Sequence, residues 1–239
     1  MDKGPFLCYQ NEVLAGESAG FGLPILRARC RTYFPSLVSA AQIAPTRSEL
    51  VFQLDREEAL SVLRRRFPRP FFFLVEMLVD TYMKVPKCQR SLLSVADALR
   101  SLFRVESAIV PGSNQGQCRV VYEVRDGALS VEVDAGALAD RGRLIMMNEV
   151  AGTAFDRLRY GESVLEGDKI PGWKLVPFGT VFESPSVGIG FSLDVPEEEN
   201  TTHWRLACGR EVAPDLNWSG FALMTDQRRF SYRVNFRVN

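Results

Sequence analysis

Apolar and polar residues alternate without a break from Arg229 to Val238. Phe230, Tyr232, Val234, Phe236 and Val238 fall on one side; Arg229, Ser231, Arg233, Asn235 and Arg237 fall on the other. A period of two is the signature of a strand with one face buried. Cys118 to Val133 repeats it, with Val120, Tyr122 and Val124 on one side, then Asp126-Gly127, then Leu129, Val131 and Val133. An Asp-Gly pair between two alternating runs predicts a hairpin. Leu144 to Met147 and Ser48 to Leu54 read as further strands, and Pro5 to Ala15 is expected to pair into the sheet. Beyond Ile170, turn signals such as Pro171-Gly172 and Pro185-Ser186 separate short β-prone runs at 180–182, 188–193, 204–207 and 221–224. Glu149 to Lys169 is ambiguous, with Thr153 eligible as a helix cap.

The pattern changes at Asp55. Asp55-Arg56-Glu57-Glu58 has the form of a capping box, and Leu60, Leu63 and Phe67 follow at helical spacing until Pro68. Arg64-Arg65-Arg66 sits where cations favour a helix C-terminus. Pro70 to Met83 is apolar on nearly every side, and Leu92, Val95, Ala96, Leu99, Leu102 and Phe103 form a helical stripe. Gly112 to Gln117 then reads as a linker. The expected fold is α+β: a mostly antiparallel sheet system, sandwich-like or strongly curved, with a helical block inserted near residues 55–106. The β-rich parts 1–54 and 107–239 are expected to form one domain, 1–239.

Composition narrows the function. Equal numbers of basic and acidic residues give zero net charge, which disfavours a dedicated nucleic-acid binder. Phe71 to Met83 is interrupted by Glu76 and Asp80 and is too short to span a bilayer, so no membrane association is expected. The beginning of the sequence has no basic stretch followed by an apolar run, so a cytoplasmic location is expected. Cys8, Cys30, Cys88, Cys118 and Cys208 are odd in number and widely spaced, which predicts reduced thiols and gives no framework for zinc. Gly188-Ile189-Gly190-Phe191 lacks the third glycine of a dinucleotide fingerprint, and no phosphate-binding G-K-[ST] is present. No cofactor and no metal are expected.

Gly16-Glu17-Ser18-Ala19-Gly20 matches the G-x-S-x-G elbow that exposes a nucleophilic serine. That elbow follows a buried strand and opens a helix, whereas fifteen residues precede Gly16 and Gly22 and Pro24 follow it. His203, the sole histidine, is the one base Ser18 can use, with Asp194 as an orienting acid. The motif is expected to be a turn, and nothing is carried over from the hydrolases.

Arginine rows are the other chemical feature. Arg27, Arg29, Arg31 and Tyr33 fall on one side of an expected strand, and Arg233 and Arg237 stand on the polar side of the last one. A guanidinium suits bidentate capture of phosphate, sulfate or carboxylate. Acids on neighbouring strands, with Glu123, Glu132 and Asp134 as candidates, would neutralise such rows. Glu197-Glu198-Glu199 reads as a solvated charge run. Trp173, Trp204 and Trp218 offer either core packing or platforms for sugar rings.

The leading expectation is a non-catalytic binding or assembly protein. Its Arg-lined sheet face (Arg27, Arg29, Arg31, Arg233, Arg237) would engage an anionic ligand or a protein partner. The alternative is a carbohydrate-binding or carbohydrate-active β-sandwich using the tryptophans, and a remote one is a serine hydrolase through Ser18 and His203.

Overall fold

A computed structural model describes residues 4–6, 8–9, 12–13, 20–28, 31–57, 111–196, 203–213 and 216–238. The described residues form antiparallel β structure with no α-helix, an all-β arrangement in place of the expected α+β one. Two short strands, β1 (Cys8–Tyr9) and β2 (Glu12–Val13), pair with each other rather than with the main sheet. The remaining strands are β3 (Phe21–Ala28), β4 (Arg31–Ala44), β5 (Arg47–Glu57), β6 (Pro111–Arg125), β7 (Ala128–Asp134), β8 (Arg143–Val150), β9 (Arg157–Tyr160), β10 (Ser163–Glu166), β11 (Lys174–Val176), β12 (Val181–Ser184), β13 (Ile189–Asp194), β14 (Trp204–Ala213), β15 (Leu216–Thr225) and β16 (Arg229–Val238). They make one 14-stranded sheet in the order β10-β9-β12-β13-β16-β7-β6-β5-β4-β3-β8-β15-β14-β11.

That sheet folds back on itself at β4. Residues Arg31 to Tyr33 pair with β3, whereas among the described strands Phe34 onward pairs with β5. Pro35 comes two residues after Tyr33, the last residue paired to β3, and it has no N–H to continue a ladder. The half running from β11 to β3 therefore faces the half running from β5 to β10. Phe21 of β3 packs edge-on against Phe191 of β13 and Phe236 of β16, with ring centroids 5.6 Å apart in each case. Phe182 of β12 meets Phe221 of β15 at 5.0 Å, and Trp204 of β14 meets Phe230 of β16 at 5.1 Å. On the side away from β4, a short 3₁₀ turn at Gly167–Lys169 and the buried Ile170 carry the chain from β10 towards β11, crossing from one half to the other.

The interface between the halves also holds a polar network. Asn148 of β8 is fully buried. Its Oδ1 accepts the Gly22 N–H at 3.1 Å and the Tyr232 hydroxyl at 2.9 Å, while its Nδ2 donates to the Met146 carbonyl at 3.0 Å. Tyr122 donates its hydroxyl to the Gly22 carbonyl at 2.9 Å. Burial pushes the ionisation of both tyrosines well above the ordinary phenol range, so both remain neutral donors. These bonds tie β6 and β16 of one half to β3 and β8 of the other.

Several sequence expectations are corrected. Asp55 to Glu57 belong to β5, with Asp55 opposite Asn114 and Glu57 opposite Pro111. Both Asp55 carboxylate oxygens accept the Gln53 amide at 3.0 and 3.1 Å, so the side chain expected to cap a helix serves the strand. A capping signature is local, and the ladder with β6 offers this backbone a different set of partners. The remainder of the expected helical block, 58–106, lies outside the described residues. Gly112 to Gln117 lies within β6 and is not a linker. The ladder there is irregular, and Gly116 takes φ +112° where a Cβ would sit 2.6 Å from the Ala137 carbonyl oxygen, which explains its turn-like composition. The expected arginine strand is two strands: β3 and β4 form a hairpin with Ala28 opposite Arg31. Tyr33 is fully buried rather than displayed beside the arginines. The Asp126-Gly127 turn, with φ of 51° and 73°, matches the hairpin that its residues predict. Among the described residues no helix is long and apolar enough to cross a membrane, which leaves a cytoplasmic location unaddressed.

Candidate ligand-binding site

Alternation places every second residue of β16 on the outside of the larger half, and the neighbouring strands decide what each one meets. Arg229 lies opposite Asp134, Ser231 opposite Glu132, and Arg233 opposite Ser130 of β7 on one flank and Asp194 of β13 on the other. Arg229 Nε pairs with Asp134 at 3.1 Å. Asp134 also accepts the Gly136 N–H, and that bond, followed by Arg229, holds its carboxyl below the ordinary range. Arg119 pairs with Glu49 at 2.5 Å, Arg125 with Glu123 at 2.6 Å and Arg47 with Glu132 at 3.2 Å. Arg157 and Arg159 both approach Glu183, whose side chain is nearly buried between them. Glu123, Glu132 and Asp134 thus neutralise arginines, but Arg47, Arg125 and Arg229 rather than the five expected to bind a ligand.

The structure describes four of those five and sets them apart. Arg29 lies outside the described residues. Arg27 stands opposite Arg143 on β8, and Arg31 is exposed at the start of β4. β4 is four strand positions from β16, roughly 19 Å at the usual spacing. Arg237 lies near the end of β16, opposite Gly190. Among the described residues no continuous arginine row forms.

Arg233 is different because it borders a cleft of about 740 Å³. Arg233, Asn235, Ser231, Ser130 and Asp194 supply the polar lining, and Phe178, Val195 and Pro196 supply an apolar wall. Asn235 donates its amide to Asp194 Oδ2 at 2.5 Å, which fixes the carboxylate. Arg233 and Asp194 are cross-strand neighbours, yet no ion pair joins them; among the described residues the Arg233 guanidinium has no ion-pair partner. Thr180 donates its hydroxyl to the Pro177 carbonyl at 2.6 Å, holding the turn that carries Phe178. The volume lies in the range of small-molecule sites, and the lining is more polar than is usual for one.

The other candidates are dispersed. Ser18 lies outside the described residues. His203 Nδ1 lies 3.2 Å from Asp226 Oδ1, with both side chains well exposed, whereas Asp194 is held by Asn235 and does not orient the histidine. Trp204 is buried against Phe230, and Trp218 is buried and stacked on Trp173 at 4.6 Å. The tryptophans therefore form no open row. Cys118 and Cys208 are buried free thiols, and burial pushes each up to about 12; Cys8 is exposed, and Cys30 and Cys88 lie outside the described residues. Glu197-Glu198-Glu199 also lies outside them. Among the described residues no group of three His, Cys, Asp or Glu side chains is placed to hold a metal.

Sequence reasoning singled out Arg233 but missed most of its company. In the sequence Asp194 carries only the signal of a triad acid, and Ser130 enters only through the register of β7 on β16. The outward set Ser231, Arg233 and Asn235 was legible from alternation alone. Phe178, Val195 and Pro196 carry no local signal. Comparison of the chain with protein-family models, with curated proteins and with solved structures gives no match.

Proposed function

We propose that the chain is a non-catalytic binding protein that holds a small anionic ligand in the cleft beside Arg233. The observation that carries this reading is an arginine with no ion-pair partner among the described residues, on a face where Arg229, Arg119, Arg125 and Arg47 all have one. A carboxylate, phosphate or sulfate would accept two parallel bonds from that guanidinium. Asp194, Asn235 and the two serines would take the ligand's hydroxyl or amino groups, and Phe178 would cover its apolar part. Binding at a partly open site on Arg233 should weaken as salt rises. A second reading, a neutral sugar held by the same hydroxyl and amide groups against Phe178, predicts binding indifferent to salt.

The test is calorimetry with inorganic phosphate, sulfate, citrate, glucose 6-phosphate and glucose, at low and high salt. The expected result is binding of at least one anion, lost in Arg233→Ala and retained in Arg237→Ala. Equal binding by the Arg233→Ala protein, or no binding by any anion, overturns the proposal. Binding of glucose alone transfers the cleft to the sugar reading.

A further inference from the structure

The far part of β4 is an open sheet border. Among the described strands, β4 from Phe34 onward pairs with β5, and none lies on its other side along Val38 to Ala44. Every residue from Val38 to Ile43 is exposed, including Val38 at 52% and Ile43 at 54%, and Val124 at 56% lies at the same end of the larger half, where Arg47 stands opposite Glu123. A bare border presents unpaired N–H and C=O groups to any strand that fits. Proteins guard such borders with charged side chains, prolines, short strands or bulges. Here residues 32–46 (Thr-Tyr-Phe-Pro-Ser-Leu-Val-Ser-Ala-Ala-Gln-Ile-Ala-Pro-Thr) contain no charge at all. The ladder to β5 has irregularities between Leu37 and Ser39 and between Gln42 and Ala44, which leave Val38 and Ile43 as the extra residues. These bulges twist the border without covering it, and Ser39 to Gln42 between them keep a regular register.

We infer that this border pairs with the same border of a second copy of the chain, giving a two-fold dimer through antiparallel β4–β4 contact. The choice of a second copy rests on charge and shape. A two-fold contact sets each residue of the stretch against another residue of the same stretch. Like charges placed directly opposite destabilise a strand pair. An uncharged segment with small Ser39, Ala40 and Ala41 at its centre meets its own copy in any antiparallel register without such a clash or a steric one. The contact would extend the larger half into a continuous sheet across two protomers, and Val38 and Ile43 would leave water at the seam. This inference is independent of the Arg233 cleft.

The test is sedimentation velocity across a concentration series on the full chain. The wild-type protein is expected to be dimeric at high concentration. Ser39→Lys, which stands opposite the uncharged Val51 in its own protomer and brings positive charge to the seam from both protomers, should weaken association about tenfold or more while leaving the circular dichroism spectrum unchanged. Ser39→Glu should do the same, and an equimolar mixture of the two variants should regain the dimer. Should a lysine variant fail to fold, Val38→Thr with Ile43→Thr supplies a milder weakening of the seam. A wild-type protein monomeric at every concentration, or a dimer unaffected by either set of substitutions, overturns the inference.

Discussion

Replacing Asn148 by Leu tests the network that joins the two halves. The side chains are similar in size, so packing changes little while the shared acceptor disappears. Two buried donors lose it, the Tyr232 hydroxyl at 2.9 Å and the Gly22 N–H at 3.1 Å. Tyr232 is fully buried, and Gly22 is buried beneath Tyr122, so water does not readily replace the lost oxygen. Leaving a buried donor unsatisfied costs about 1–3 kcal/mol, so the substitution should cost about 2–6 kcal/mol. Tyr232→Phe alone removes one bond but leaves Asn148 Oδ1 with Gly22, and should cost about 1 kcal/mol. The double variant removes the orphaned hydroxyl and leaves only Gly22 unsatisfied. It should therefore be no less stable than Asn148→Leu alone, and far from the sum of the single effects. Urea denaturation followed by tryptophan fluorescence measures all three, since Trp204 and Trp218 are buried. Additive single effects, or a cost below about 1 kcal/mol for Asn148→Leu, would refute the reasoning.

Two further predictions concern stability. Burial raises the Cys118 and Cys208 thiols from 9.0 to about 12, which favours the protonated form in the folded state. Their contribution is therefore complete below pH 9 and is lost as pH climbs towards 12, by roughly 1 kcal/mol per thiol at pH 10. Urea midpoints from pH 7 to pH 10.5 should fall less steeply in Cys118→Ala and Cys208→Ala than in the wild type, and an unchanged slope would count against the mechanism. Gly22→Ala should cost more than about 2 kcal/mol, because φ is +70° and the added Cβ would lie 2.7 Å from the Tyr122 ring. Gly161→Ala, with φ +54° and open space around it, should cost only about 1 kcal/mol, and equal losses from the two would discard the contact argument.

Alternation by itself determined a good deal about this protein. It marked Phe230, Tyr232 and Val234 as inward and Ser231, Arg233 and Asn235 as outward, and the Asp126-Gly127 pair marked the β6–β7 turn. A strand's period and a two-residue turn are set by neighbouring φ and ψ, which adjacent residues control. The capping box at Asp55 and the polar run at Gly112 misled for the same reason: each is a local preference, and the β5–β6 ladder is a non-local set of bonds that overrides it. Only the tertiary structure decided which arginines are neutralised. Arg229 faces Asp134 and Arg233 faces Asp194 because of the registers of β7 and β13 on β16, a matter of residues far apart in sequence. The same holds for Phe178 and Pro196 at the cleft, for Asn148 between the halves, and for the bare border of β4. Each depends on how a long sheet folds over, and no window of neighbouring residues contains that information.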